Sequence, residues 1–269
     1  MKTLYISDLD GTLLHSDKTI SDYTNQVINS LTERGMIFSY ATARSYITAK
    51  KVAKGLSAKI PLIVYNGTFV IDNLTGEILL ANYFDDSIKK LFKELFQNGI
   101  YPIVYSYIDN NEKLSFVEHA CTRGVNLFLA SRKGDIRRNP VANTEDLVKG
   151  NCFYITCIDE PEKLFPIYEK YKEDFHCVYQ RDLYSGEQWL EIMPKTVSKA
   201  NAVMQLKAQL CCDKVIVFGD GKNDIDMFEI ADECYAVENA VDELKERATA
   251  VIASNNEDGV ARWLKKHVQ

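Results

Sequence analysis

Residues 214–220 read Lys-Val-Ile-Val-Phe-Gly-Asp. Four apolar residues follow one another without a polar break, so an extended chain here would have no face for water. A strand of that kind lies inside a parallel sheet, with crossover helices on both sides. The flanking sequence supplies such helices. "SKANAVMQLKAQL" precedes the strand and "NDIDMFEIA" follows it. Then come a strand "CYAVEN", a helix "AVDELKERA", a strand "AVIAS" and a closing helix "DGVARWLKKHV". The N-terminal end repeats this rhythm. "KTLYISD", "MIFSYAT" and "IPLIVYNG" read as strands, with helices at "YTNQVINSLTERG" and "SYITAKKVAKGL" between them. Residues 68–82 form two apolar runs around a polar turn at Asn73–Gly76, a hairpin. The implied class is α/β, a doubly wound, Rossmann-like parallel sheet.

Between about 84 and 190 the texture changes. An amphipathic helix with Ile88, Leu91, Phe92, Leu95 and Phe96 on one face is followed by "YPIVYSYI", "KLSFVEH", "NCFYITCI" and "FHCVYQR". A helix "PEKLFPIYEKYKEDF" stands between the last two of these strands. This aromatic-rich α+β pattern predicts a second domain inserted into the first. The expected boundaries are 1–83 and 190–269 for the parallel domain and 84–189 for the insert. "WLEIMP" counts as the strand on which the parallel part resumes.

The chain has 269 residues, 46% hydrophobic and 26% charged, a folded globular balance. A net charge of −6 argues against a basic surface for nucleic acid. Seven cysteines without a C-x-x-C pair point to reduced thiols rather than zinc or redox motifs, with Cys211-Cys212 a structural vicinal pair. No leader pattern and no membrane-length apolar run is read. The expectation is a cytoplasmic protein without nucleic-acid or membrane partners, monomeric or a weak homodimer.

In open parallel sheets, ligands bind beyond the carboxyl ends of the strands. Four such ends carry reactive residue types. After the first strand comes Asp8-Leu9-Asp10-Gly11-Thr12. Side chains two apart on an extended chain point the same way, so both carboxylates can converge on one ligand; an ordinary Asp-Gly turn is the alternative. After the second strand, Thr42 and the adjacent N–H groups could hold an anion at a helix start, with Arg44 just beyond. An N-cap threonine and a solvated arginine would explain them equally. Lys199 opens a helix, where the dipole disfavours a cation unless an anion compensates; a solvated surface lysine is the alternative. Finally, Gly219-Asp220-Gly221-Lys222-Asn223-Asp224 brings two more carboxylates to a strand end. The glycine spacing does not suit a dinucleotide. Oxygen ligands without His or Cys select a hard cation such as Mg²⁺. Asn223 or Asp224 could instead cap the next helix.

Together, D-x-D-G-T-L, Thr42, Lys199 and G-D-G-x-N-D resemble motifs I to IV of the haloacid dehalogenase (HAD) superfamily, and more narrowly the Cof-type sugar-phosphate phosphatases with a type IIB cap. "YNGTFVID", "LEIMPKTVSKANAV", "VENAVDEL" and "NNEDGVARWL" share the likeness. Thr196 and Ala200 depart from it, standing where many relatives carry glycine. The resemblance implies a HAD core with an inserted cap acting as a specificity lid. Asp8 would attack phosphorus and become an aspartyl-phosphate. Asp10 would protonate the leaving alcohol and then deprotonate water, its pKa raised by neighbouring anionic groups. Mg²⁺ would be held by the Asp8 carboxylate, the Asp10 backbone carbonyl and Asp220, with Asp224 in an outer position. Thr42 and Lys199 would bind the phosphoryl oxygens, joined in substrate binding by Arg44. Asn223 would touch the phosphate or orient Lys199, and Asn66 would face the substrate. Stretches "YSYID", "HACTRG" and "QRDLYSGEQW" are candidate cap contacts.

The expected substrate is a small phosphorylated metabolite, a sugar phosphate first, with FMN or pyridoxal phosphate as alternatives. A phosphotransferase or phosphomutase would use the same residues. A non-catalytic sugar-phosphate sensor is disfavoured by the intact set Asp8, Asp10, Thr42, Lys199, Asp220 and Asp224. A phospho-signalling receiver is disfavoured by chain length and by the placing of the two aspartates.

Overall fold

The computed structural model describes residues 1–56, 61–182 and 186–268. Ile60, expected in the third strand, and Leu183, Tyr184 and Ser185 of one candidate cap stretch lie outside them. The chain divides into two units, 1–81 with 197–269, and 82–196.

The first unit begins with β1 (Thr3–Asp8), α1 (Asp22–Glu33), β2 (Ile37–Ala41), α2 (Tyr46–Val52), β3 (Pro61–Val64), β4 (Phe69–Asp72) and β5 (Ile78–Ala81). Ser21 and Ser45 start the two helices by accepting hydrogen bonds from the N–H groups of Thr24 and Thr48.

The second unit holds α3 (Ile88–Gln97), β6 (Ile103–Ile108), β7 (Asn111–Val117), α4 (Arg123–Ser131), β8 (Arg138–Val141), α5 (Thr144–Leu147), β9 (Asn151–Ile158), α6 (Pro161–Tyr171), β10 (His176–Arg181) and β11 (Gln188–Met193). Its six strands run in the order β10-β11-β9-β6-β7-β8, antiparallel except for β7 with β8. Leu91 and Leu95 of α3 and Leu164 and Ile167 of α6 share one core with Val104, Ile155, Cys157, Leu190 and Ile192 of the strands. On β11, Leu190 pairs with Cys157 of β9. This corrects the expected boundary: β11 is a strand of the inserted sheet, not the return of the parallel one. Its sequence alternates, with Leu190 and Ile192 in that core, and Trp189 in ring contact with Phe128 of α4. Alternation marks a strand whose two faces meet different surroundings. Helices α4 and α5 and strand β8 have no counterpart among the elements expected from the sequence.

The first unit resumes with α7 (Lys199–Gln209), β12 (Lys214–Gly219), α8 (Ile225–Ile230), β13 (Glu233–Val237), α9 (Asp242–Lys245), β14 (Ala250–Ile252) and α10 (Gly259–His267). Its sheet runs β14-β13-β12-β1-β2-β3-β4-β5. It is parallel from β14 to β3 and antiparallel over the final hairpin. One face packs Leu4, Ile6, Val215 and Val217 against Ala202, Val203 and Leu206 of α7 and Met227 of α8. On the other face Trp263 of α10 meets the rings of Tyr5, Phe218 and Tyr235. Both faces are therefore covered, as the unbroken apolar run of β12 requires.

Candidate active site

The sheet order places β1 between β2 and β12. From β1 the chain crosses to β2 on one side and later returns to β12 on the other, which opens a crevice at the carboxyl end of β1. Register then decides which residues meet. Asp8 lies beside Ala41, and Ser7 beside Phe218. Asp8 is thus flanked by the residues that follow β2 and β12: Thr42, and Gly219-Asp220.

Asp8 is 4% exposed and Lys199 3%. The Lys199 ammonium donates to Asp8 Oδ1 at 2.5 Å and to Asp224 Oδ1 at 2.8 Å. Lys199 is the first residue of α7, whose N-cap is Ser198. Its compensating anions are these two buried carboxylates. Asp224 also accepts, on Oδ2, the N–H groups of Asp220 and Gly221, each at 3.1 Å. Both its oxygens are therefore engaged, and they tie the loop after β12 to α7. Asp220 accepts from the Thr12 hydroxyl at 2.8 Å. Gly11, at φ +81°, passes so close to Asp220 that a Cβ there would lie 2.3 Å from its Oδ2.

One oxygen from each of Asp8, Asp220 and Asp224 lies within 4.8 Å of the others. Burial raises the Asp8 carboxyl well above its ordinary value, and repulsion from Asp224 and Asp220 adds to it; Lys199 opposes them. Asp220 is raised chiefly by burial. For Lys199, burial would favour the neutral amine, but Asp8 and Asp224 outweigh it and keep the ammonium charged. Fully ionised, the three carboxylates would exceed the one ammonium by two negative charges. A divalent cation would balance them, and an all-oxygen donor set suits a hard one. The residues present fit such an ion.

Asp10 has a different partner. The strand ends at Asp8, and the chain then coils over Leu9–Leu13 with the Leu14 N–H on the Leu9 carbonyl at 2.8 Å. The two aspartates are therefore not residues of one extended strand, as the expected alternation requires, and each has its own partner. Asp8 turns inward to Lys199. The Asp10 side chain is 46% exposed and meets Arg44, whose Nε donates to Oδ2 at 2.7 Å and Nη2 to Oδ1 at 2.5 Å. Arg44 is accordingly neither solvated nor turned wholly toward a ligand.

Thr42 is buried, and its Oγ1 accepts the Arg44 N–H at 3.1 Å. It does not cap α2; Ser45 does. Asn66 donates its N–H to the Thr42 carbonyl at 3.0 Å, with Tyr65 and Asn66 both left-handed at φ +52° and +53°. Asn223 is exposed, and Lys199 is oriented by Asp8 and Asp224 instead. That corrects the expected alternative of Asn223 as its orienting partner. Three further residues, Thr12, Asn239 and Asn255, support the loops that carry these groups. Thr12 holds Asp220. The amide of Asn239 donates to the Gly11 carbonyl at 2.7 Å, and Asn255 donates its N–H to Asn239 Oδ1 at 2.9 Å and its side-chain amide to the Leu14 carbonyl at 2.8 Å.

In the inserted unit, Tyr105 and Tyr107 lie on β6. Thr122 caps α4, accepting the N–H of Val125. Tyr154 donates to Glu191 Oε1 at 2.6 Å, and burial raises the Glu191 carboxyl.

A family described as haloacid dehalogenase-like hydrolase matches residues 5–264. The chain is 29% identical over 285 residues to the Bacillus subtilis 5-amino-6-(5-phospho-D-ribitylamino)uracil phosphatase YwtE, covering 98% of this chain and 97% of that one. The crystal structure of TM0651 from Thermotoga maritima superposes with a TM-score of 0.81 at 26% identity, over 100% of this chain and 98% of that one. The subclass IIB sugar phosphatase BT4131 superposes with a TM-score of 0.70 over 99% and 98% of the two chains. At 18% identity the latter speaks to fold alone.

Proposed function

The chain belongs to the haloacid dehalogenase-like hydrolase family and is a phosphatase; from that premise we propose that it hydrolyses a small phosphorylated sugar or sugar alcohol through an aspartyl-phosphate on Asp8. The observation that carries this reading is the buried Lys199 ammonium shared by Asp8 and Asp224, with Asp220 beside them. Lys199 opposes the burial that favours a neutral Asp8 and fixes the direction of its carboxyl at a strand end, as a nucleophile requires.

In this reading Asp8 attacks phosphorus as the ester P–O bond breaks. The departing oxygen takes a proton from Asp10. Water then loses a proton to Asp10, attacks phosphorus and releases Asp8 and inorganic phosphate. Lys199 and the Thr42 hydroxyl meet the charge that builds on the phosphoryl oxygens. Asp8, the Asp10 carbonyl and Asp220 would hold Mg²⁺, with Asp224 behind them. When bound, the ion neutralises the carboxylates and phosphoryl group and lets two anions approach. Choice among metabolites is assigned to the inserted unit 82–196.

Several observations support the wider setting. YwtE is named for a phosphoribityl substrate, a phosphorylated sugar alcohol, which is why that class stands beside sugar phosphates. All seven cysteines are free, and among the described residues no helix is long and apolar enough to cross a membrane. We place the protein in the cytoplasm, as a monomer or weak homodimer.

Asp8→Asn should abolish phosphate release from p-nitrophenyl phosphate with Mg²⁺ while the far-ultraviolet circular dichroism stays unchanged. Turnover at the wild-type rate in that variant would refute the nucleophile. EDTA should stop the wild-type reaction and added Mg²⁺ restore it. Phosphate release without an added acceptor separates hydrolysis from transfer to a second sugar.

A further inference from the structure

Asp10 is half exposed, and a carboxylate there would ordinarily sample several rotamers. Among the described residues its carboxyl has one partner, Arg44, which grips both oxygens. A bidentate fork fixes the plane of a carboxylate as well as its distance. This separates it from the usual surface ion pair, which contributes little.

Arg44 is itself held from both sides. Its N–H donates to Thr42 Oγ1 at 3.1 Å, and its carbonyl accepts the Tyr65 N–H at 2.9 Å. Thr42 is anchored by its N–H on the Ile63 carbonyl at 2.9 Å and by the Asn66 N–H on its own carbonyl. The fork thus springs from backbone tied to β3 and to the left-handed turn after it. On the far side, Asn239 fixes the Gly11 carbonyl, so the backbone next to Asp10 is pinned as well.

Building on the phosphatase reading above, we propose that Arg44 is a positioning residue that sets the orientation of Asp10 for proton transfer, rather than a contact for the substrate phosphate. Its Nε and Nη2 are committed to Asp10, and a phosphate would have to take them away. Misplacing a proton-transfer group by about 1 Å costs on the order of a hundredfold in rate.

The two roles predict different kinetics. Arg44→Ala, Arg44→Lys, Asp10→Asn and the Asp10→Asn/Arg44→Ala double variant are assayed with p-nitrophenyl phosphate and Mg²⁺. Inhibition by inorganic phosphate is measured alongside. A positioning residue gives Arg44→Ala a kcat lower by about a hundredfold, with KM and the phosphate inhibition constant within about twofold of wild type. The double variant should be no slower than Asp10→Asn alone, because the two residues act as a unit. Arg44→Lys should recover little, since an ammonium lacks the fork. The proposal is overturned if Arg44→Ala raises KM and the phosphate inhibition constant about tenfold with kcat retained. It is also overturned if the double variant falls clearly below Asp10→Asn. Failure of the underlying reading looks different: the wild type would not release phosphate, or Asp8→Asn would still do so.

Discussion

Lys199 shows what one residue decides here. A cation in the first turn of a helix opposes the helix dipole, and a buried one must also lose its hydration. Asp8 and Asp224 offset both costs, so the three side chains are stable only together. Lys199→Met should leave Asp8, Asp220 and Asp224 facing one another without a counter-charge. In metal-free buffer the expected loss is about 3–5 kcal/mol of stability, and added Mg²⁺ should recover part of it; thermal melts with and without Mg²⁺ test both. Asp258 makes a second knot of this kind. It accepts from Ser21 at 2.5 Å, Thr24 at 2.9 Å and His15 at 3.0 Å. Burial alone would raise its carboxyl, but these donors outweigh burial and hold it below the usual range. A carboxyl lowered on folding contributes stability that is present above its unfolded pKa and fades as pH falls through the folded value. Asp258→Asn should therefore cost about 2 kcal/mol at pH 7, and the difference from wild type should shrink in melts taken below about pH 4. At this scale the sequence displays residue types but not their pairing. Arg44 and Asp10 are both evident as charged groups near strand ends. That they grip each other across 34 residues follows only from β1 and β2 lying side by side.

Among elements, the turn over Tyr65–Gly67 links parts that are far apart in the chain. Two successive non-glycine residues in the left-handed region carry strain that their surroundings must sustain. The turn gives Asn66 to Thr42 and Tyr65 to Arg44 through backbone hydrogen bonds. Gly67, at φ +97°, passes against the N-cap of α7, where a Cβ would lie 2.2 Å from the Ser198 carbonyl oxygen. Gly67→Ala should therefore displace Ser198 and, with it, Lys199. The expected cost is about 2–3 kcal/mol, with a lowered kcat; urea unfolding and turnover of p-nitrophenyl phosphate measure the two effects. The sequence marks Asn66-Gly67 as the end of a strand, since Asn and Gly tolerate positive φ. It does not say which helix approaches. Strand β11 makes the complementary case. "WLEIMP" is plainly strand-like, but which sheet accepts it depends on Leu190 and Ile192 finding the core of α3 and α6. Helix α4 carries Val125, Phe128 and Leu129 at helical spacing behind the N-cap Thr122, so its signal is present in the sequence though short.

For the whole molecule, the inserted unit has a sheet and a hydrophobic core of its own, and both its ends join the other unit. Its size lies within the range of independently folding domains. Residues 82–196 expressed alone should give a dispersed amide NMR spectrum and a single cooperative unfolding transition; a collapsed spectrum would show that the unit depends on the rest of the chain. The amino-acid sequence by itself determined the α/β class, the insertion and the three strand ends and one helix start that carry the candidate site. Those are properties of local periodicity and of residue types that are costly to bury unless something holds them. The tertiary structure alone decided that Asp8 meets Lys199 while Asp10 meets Arg44, and that Lys199 answers to Asp224 rather than to Asn223. These are contacts between distant segments, and strand order and register, not local sequence, bring such segments within hydrogen-bonding distance.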